Sequence, residues 1–435
     1  MAREYKDSGI EWIGQIPKEW EQYRIKYNTF LKGRIGWQGL NSSDFLNEGY
    51  CLITGTDFDN KGGINWNSCY RISEERYNED ELLHVKKGDL LMTKDGTVGK
   101  MAFIKELPEE ASLNSHLLII RQLTKLIDNS FLYWVMLSDV FKGFSSFYQS
   151  GTIMSSISQG TLGFFACYCP PLSEQHKIAD YLDKLCGEVD EMVALQETMI
   201  EELKAYKQSV ITEAVTKGLN PNVPMRNSGI DWIGEIPEGW EVKRLKYVSN
   251  ISRGLFNHRP RNDERYYGGI YPFIQTGDVA RSKKYIESYS QTLSDLGVSV
   301  SKLFPKGTLT MTIAANVGDV SILGFNAYFP DSVLGIIPLP DVDNIFLYYA
   351  LKAMKGEFVN AAIVSTQLNL NVERVYNMKT VVPPISEQRA IASYLDTKCS
   401  EIDSLIALKQ AKIEELKEYK KSVIYEYVTG KKEVV

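Results

Sequence analysis

The chain lacks the residue clusters that build metal centres, disulfide frameworks and most catalytic sites. Its six cysteines, Cys51, Cys69, Cys167, Cys169, Cys186 and Cys399, show no CxxC spacing, and its four histidines, His84, His116, His176 and His258, lie far apart. Scattered thiols of this kind read as buried or incidental side chains in a reducing compartment. No apolar run approaches the ~18 residues that a membrane span needs, and the start MAREYKDSG has no hydrophobic signal core. A soluble, cytoplasmic protein is therefore expected. GTVGK at 96–100 lacks the earlier glycine of a phosphate loop and has Met101 where Ser or Thr would stand. CPPL and VPPI lack both the polar first residue and the aromatic last residue of the Asp/Asn-Pro-Pro-aromatic motif of amino methyltransferases. No glycine-rich cofactor fingerprint and no spaced nucleophile-base pair is present, so no catalytic residue, metal or cofactor is expected. The pattern is that of a recogniser and not of a catalyst.

What the chain does have, it has twice. SGIEWIGQIP at 8–17 returns as SGIDWIGEIP at 228–237, and PPLSEQ at 170–175 returns as PPISEQ at 383–388. Between these fixed points lie two divergent stretches of about 150 residues each, too long to be units of a solenoid. The expected division is a first recognition domain over 1–169, a helix over 170–218, a linker and second recognition domain over 219–382, and a second helix over 383–435. A duplicated scaffold with two divergent inserts implies two related surfaces that recognise different things.

After each PPxSEQ the apolar residues follow alternating spacings of four and three. The first copy reads Ile178, Leu182, Leu185, Val189, Met192, Met199, Leu203, Tyr206 and Val210, interrupted at Gln196. The second reads Ile391, Leu395, Ile402, Leu405, Leu416, Tyr419 and Val423, with Lys398, Lys409 and Lys412 at matching places. Seams of this length predict coiled-coil helices, N-capped by Ser173 and Ser386 and stopped by Gly218 and Gly430. At ~1.5 Å per residue each would be about 63 Å long. Pairing the two copies antiparallel would put Gln196 opposite Lys409 in one polar layer that fixes register. The other arrangement is two separate helices, each packed on its own domain.

The inserts carry short alternating runs, aromatics and glycine-bearing turns, so mixed α/β domains are expected. GYCLITGTDF at 49–58 parallels IYPFIQTGDV at 270–279, and KGDLLMTKDGTVGKMAFI at 87–104 parallels KGTLTMTIAANVGDVSIL at 306–323. The latter pair predicts strand, tight turn and strand, followed by helices at 131–141 and 345–354. The whole chain is net acidic, at −6, which argues against nonspecific coating of polyanions. Basic residues nevertheless recur at equivalent places. Lys32, Arg34, Trp37 and Gln38 occupy a loop matching the one that begins at Arg253, which continues through His258, Arg259, Arg261 and Arg265. Lys94 and Lys100 flank the DGTVG turn, and Arg281, Lys283 and Lys284 form a further cluster. Lys and Arg supply phosphate contacts, while Arg, Gln and Asn can read base edges. These residues are the candidate DNA contacts.

The arrangement WIGxIPxxW, variable domain, PPxSEQ and long helix, repeated once across essentially the whole chain, resembles the specificity subunits of Type I restriction-modification systems. The resemblance implies two target recognition domains, each reading half of an asymmetric bipartite DNA site, joined by an antiparallel helical spacer. It implies partners as well: two modification subunits that bind S-adenosylmethionine and methylate adenine, and a restriction subunit with ATP-driven translocation. It makes 170–216 and 383–429 spacer and partner surface, and Trp12, Trp20, Trp232 and Trp240 packing residues. The family's Ser-Thr-Gln step is matched by Ser365, Thr366 and Gln367, which adds Gln367 to the candidate contacts. The first copy departs from it with Gly151, Thr152, Ile153 and Met154. Two further readings are a catalytic chain that itself modifies DNA, and a coiled-coil protein-interaction scaffold without DNA recognition.

Overall fold

The structure is a computed structural model that describes residues 3–34, 40, 44–59, 61–149, 156–258, 261–364 and 368–434. Trp37, Gln38, Arg259, the Gly151-Met154 step and the Ser365-Gln367 step lie outside the described residues. The chain divides into two compact units, one made of residues 1–197 with 410–435 and the other of 198–409. Its helices include α1 (Asn129–Leu137), α2 (Leu172–Lys217), α3 (Asn344–Ala353) and α4 (Ile385–Val428).

The first unit is built on a four-stranded antiparallel sheet. Its strands are β1 (Thr29–Lys32), β2 (Leu90–Thr93), β3 (Met101–Phe103) and β4 (Leu117–Gln122), in the order β1-β4-β2-β3. Leu90, Leu91, Met92, Leu117, Leu118, Ile119 and Ile120 are all buried, because both faces of the central strands are covered. The second unit repeats the order with β5 (Ser249–Arg253), β6 (Tyr285–Ile286), β7 (Leu309–Thr312), β8 (Val320–Leu323) and β9 (Val333–Pro338), arranged β5-β9-β7-β8-β6. The strand-turn-strand segments expected at 87–104 and 306–323 are thus β2-β3 and β7-β8.

In each unit a helix from the insert packs beside this sheet. Asp128 caps α1 through the Ser130 amide, and Asp343 caps α3 through the Ile345 and Phe346 amides. The single helix expected over 131–141 is broken at Ser138. That hydroxyl donates to the Val135 carbonyl at 2.6 Å and accepts from the Val140 amide at 3.2 Å, ending one helix and starting the next.

The long helices begin one residue ahead of the serines expected to cap them. Pro171 and Pro384 hold the cap position instead: the Pro171 carbonyl accepts from the Glu174 and Gln175 amides, and the Pro384 carbonyl from Gln388. Within each unit the two helical stretches run antiparallel. In the first, Tyr181 packs on Tyr427 with ring centroids 4.7 Å apart, and Asp190 pairs with Lys420 at 2.7 Å. In the second, Lys207 pairs with Asp403 at 2.6 Å, and Lys409 Nζ reaches Met199 Sδ at 3.4 Å. Asp190 and Asp403 hold the same repeat position, as do Lys207 and Lys420.

The seam also drifts. Met192, Tyr206, Leu405 and Tyr419, expected inside, are 49%, 57%, 47% and 48% exposed, whereas Ile200 and Ile413 are buried. A straight helix of 3.6 residues per turn slips against a strict seven-residue repeat. Over several heptads the inward face passes to the neighbouring column.

The WIGxIPxxW motifs seat the helix ends. Trp20 and Trp240 are fully buried, consistent with the packing role implied for them. Gly430, after α4, lies against Pro17 and Trp20, and Gly218, after α2, lies against Trp240. Both glycines have positive φ, 66° and 79°, the left-handed conformation that ends a helix without strain only for glycine.

Candidate nucleic-acid interface

The sheet registers bring several of the candidate contacts together. In the first unit Lys32 pairs with Ile119 and Thr93 with Leu117, so β1 and β2 finish at the same end of the sheet. Gly33, next after Lys32, and the DGTVG turn therefore lie at the same end of the sheet. At this end the His116 carbonyl accepts from the Lys94 amide at 2.9 Å, and the Ile157 amide donates to the Lys94 carbonyl at 2.8 Å. Lys100 is exposed, and neither Lys94 nor Lys100 forms an ion pair among the described residues. Lys32 is partly covered and paired with Asp80 at 2.7 Å.

The second unit builds the same end. Arg253 pairs with Leu334 and Thr312 with Val333. Arg253 Nε donates to the Asp331 carbonyl at 3.1 Å, and Arg261 binds the Asp331 carboxylate at 2.6 Å, so one residue aims both guanidinium groups. His258 stacks on Tyr266 at 3.8 Å and lies 3.3 Å from Asp263. The Arg265 guanidinium beside Asp263 holds that carboxyl well below the usual range.

The hairpin between the central strands has one construction in both units. Thr93 Oγ1 donates to the Thr97 carbonyl and Thr312 Oγ1 to the Asn316 carbonyl, while the Gly99 and Gly318 amides return to the Thr93 and Thr312 carbonyls at 2.9 and 2.8 Å. Gly96 has φ +72°, and the residue in the same seat of the second hairpin, Ala315, has φ +62°, the one non-glycine left-handed residue among those described. An alanine there costs about 1–2 kcal/mol in backbone strain. Because glycine also raises the entropy of the unfolded chain, Ala315→Gly is expected to stabilise by a net ~0.5–1 kcal/mol. A rise in the thermal midpoint checks this; a fall would show that the seat is unstrained.

Other candidates are placed elsewhere. Arg34 is 1% exposed: its guanidinium donates to the Leu113 carbonyl and Ser112 Oγ and pairs with Glu79 at 3.1 Å. Burial lowers its pKa, and the side chain braces the loop from inside. Lys284 is bound to Asp396 of α4 and lies over the rings of Tyr285, Tyr348 and Tyr349. It ties the domain to the helix. Arg281 is exposed and paired with Asp278 at 2.6 Å, and Lys283 is exposed with its carbonyl accepting from Tyr348. These three flank β6, the edge strand, and do not join the cluster around Arg253.

Two sets of working residues escaped the sequence reading. Asp396 accepts from Tyr349 at 2.7 Å as well as from Lys284, and the equivalent Asp183 accepts from Trp134 Nε1 at 3.0 Å and from Lys105. Their signal was the repeated Tyr-Leu-Asp at 181–183 and 394–396. The glutamines of PPxSEQ are the second set. Gln175 Oε1 accepts from the Asp128 amide at 2.7 Å while its Nε2 donates to the Leu126 and Pro170 carbonyls. Gln388 does the same to the Asp343 amide and the Asp341 and Pro383 carbonyls. Each locks the start of α1 or α3 to the long helix that follows it.

The fold recurs in solved proteins. A chain from a study of complex assembly and conformational transition of the type I R-M system superposes with a TM-score of 0.75 at 17% identity, covering 95% of this chain and 99% of that one. The HsdS subunit from Thermoanaerobacter tengcongensis gives 0.53 at 17% identity, covering 95% and 98%. In sequence the chain is 25% identical over 424 residues to the putative type I restriction enzyme MjaX specificity subunit of Methanocaldococcus jannaschii, spanning 96% of this chain and 95% of the relative. It is 20% identical to the EcoKI specificity subunit of Escherichia coli, spanning 91% and 86%. The profile of the Type I restriction modification DNA specificity domain matches twice, at residues 35–205 and 237–418. The chain belongs to the family of type I restriction-modification specificity subunits: it is a DNA-recognition subunit whose relatives leave catalysis to partner chains.

Proposed function

We propose that this chain reads an asymmetric, two-part DNA site, one part with each unit, and delivers adenine methylation and cleavage to that site through its partners. The observation that carries the reading is the sheet end built twice: one latched hairpin and one strand-end loop per unit, with different exposed residues on the same scaffold. Lys32, Lys94 and Lys100 in the first unit, and Arg253, His258 and Arg261 in the second, are the described phosphate and base contacts. Gln38 and Arg259 belong to the same loops by sequence, and Gln367 to the Ser-Thr-Gln step ahead of the second PPxSEQ. Arg281 and Lys283 would touch DNA only at a margin, and Arg34 and Lys284 hold the reading surface in shape.

The partner surface is also doubled. Met192, Leu195 and Tyr419 in the first unit, and Leu405, Leu408 and Tyr206 in the second, are exposed apolar residues at matching repeat positions. Solvent-facing apolar stripes mark interaction sites, and two equivalent stripes fit two copies of one modification subunit. A restriction subunit completes the assembly, which works in the cytoplasm where its DNA lies. Residues 1–169 and 219–382 are the recognition domains in this scheme, and 170–218 and 383–435 the spacer.

Mapping adenine methylation in the source organism with the gene intact and deleted tests the proposal: methylation at one bipartite motif should vanish on deletion. Restoring the gene with one heptad removed from each long helix should bring methylation back at the same half-sites with a shorter middle. Seven residues span about 10 Å, or ~3 base pairs. Altered half-sites would overturn the role of the helices as the spacer, and an unchanged map would favour a scaffold without DNA recognition.

A further inference from the structure

The tips of the two latched hairpins are the parts of the sheet ends whose chemistry is least accounted for by folding. Gly96 and Thr97 in the first unit, and Ala315 and Asn316 in the second, are exposed. The latch acts entirely through the backbone of the tip: the Thr97 and Asn316 carbonyls accept from Thr93 and Thr312, which leaves the tip side chains out of it. Among the described residues the Asn316 carboxamide has no hydrogen-bond partner.

Asparagine is common in turns because it tolerates left-handed backbone. That explanation fails here, since the left-handed seat falls on Ala315 and not on Asn316. The strain at Ala315 is a second, independent sign. Strained backbone persists where the surroundings over-determine it and gathers at sites that bind. Here the latch, together with the Ala314–Asn369 bridge and the Leu370 amide bonded to the Ile313 carbonyl at 2.8 Å, holds the tip rigid. Arg253, at the same end of the sheet, supplies a cation for phosphate.

A two-stranded ribbon fits the major groove, where a carboxamide can bond the N7 and N6 of adenine at once, and where a threonine methyl can meet the methyl of thymine. We propose that these hairpin tips are base-reading elements: the Asn316 carboxamide takes an adenine edge in the half-site of the second unit, and Thr97 meets a base edge in the half-site of the first. This rests on the DNA-reading function proposed above. It explains why the latch is the same in both units while the tip side chains differ.

The test uses the chain assembled with its modification subunits. Methylation of the cognate duplex is compared with that of duplexes changed at one base pair at a time. Asn316→Ala is expected to lower discrimination about 10- to 100-fold at one adenine position of one half-site, with the other half-site and the spacing unchanged. Asn316→Asp removes the donor that N7 needs and should move preference at that position toward cytosine, whose amino group donates to a carboxylate. Thr97→Ala should change the other half-site only. Unaltered discrimination at every position in all three variants, with methylation retained, would overturn the assignment alone. A wild-type assembly with no bipartite preference would overturn the DNA-reading function beneath it. Should Asn316→Ala not fold, Asn316→Asp keeps a side chain of the same shape and carries the test.

Discussion

Replacing Leu408 by glutamate is expected to leave the chain folded and to strip one of the two modification subunits proposed for it. Leu408 is 67% exposed on α4, and Leu405 and Tyr206 of the same stripe are 47% and 57% exposed. A charge placed there in the free chain meets water, so its effect on stability should lie within about 0.5 kcal/mol. At a covered interface the same change removes about 2–3 kcal/mol of apolar burial and places a carboxylate where it loses its hydration. Central apolar contacts of this kind carry most of the energy of an interface, so binding should weaken by about 100-fold or more. Native mass spectrometry of the assembled complex should show one partner copy for Leu408→Glu, one for the equivalent Leu195→Glu, and none for the double variant. Retention of both copies in the double variant would remove the stripe from the partner surface.

The second large effect is expected at Gln388. This side chain is 1% exposed and makes three hydrogen bonds, from the Asp343 amide and to the Asp341 and Pro383 carbonyls at 2.8, 3.2 and 2.8 Å. Leucine of similar size would leave those backbone groups dry and unpaired at the start of α3. A buried polar group without a partner costs about 1–3 kcal/mol, so Gln388→Leu should destabilise the second unit by about 3 kcal/mol or more. Its neighbour Arg389 points to solvent, and Arg389→Ala should cost less than about 0.5 kcal/mol. Urea titration reads both as shifts of midpoint at constant slope. Equal midpoints for the two variants would show that the glutamine is not a lock.

The repeats made most of the architecture legible in the sequence. The WIGxIPxxW and PPxSEQ motifs, the two long helices and the paired strand-turn-strand segments follow from local pattern alone. What pattern could not show was which face a long helix turns inward after several heptads. Met192 and Leu405 read as seam and stand in solvent because the drift accumulates by small angles that no local window contains. Pattern was equally blind to which of the candidate contacts the fold would cover. Arg34 and Lys284 have the same composition and loop setting as Lys100 and Arg261, and only tertiary packing, which covers Arg34 and lays Lys284 over three tyrosine rings, separates a brace from a surface cation. Gln388 lay in plain view inside a repeated motif, but its task is set by a loop more than forty residues away.

The division of the chain has a consequence for its synthesis. The second unit is one continuous stretch, 198–409, whereas the first is completed by residues 410–435. The first unit must therefore wait for the whole of the second to be made before α4 can join the core around Ile178 and Leu182, both fully buried in the finished fold. Contacts this distant in sequence form slowly, and the uncovered face of α2 is open to wrong partners in the interval. Of the two units, the one begun first is the one completed second.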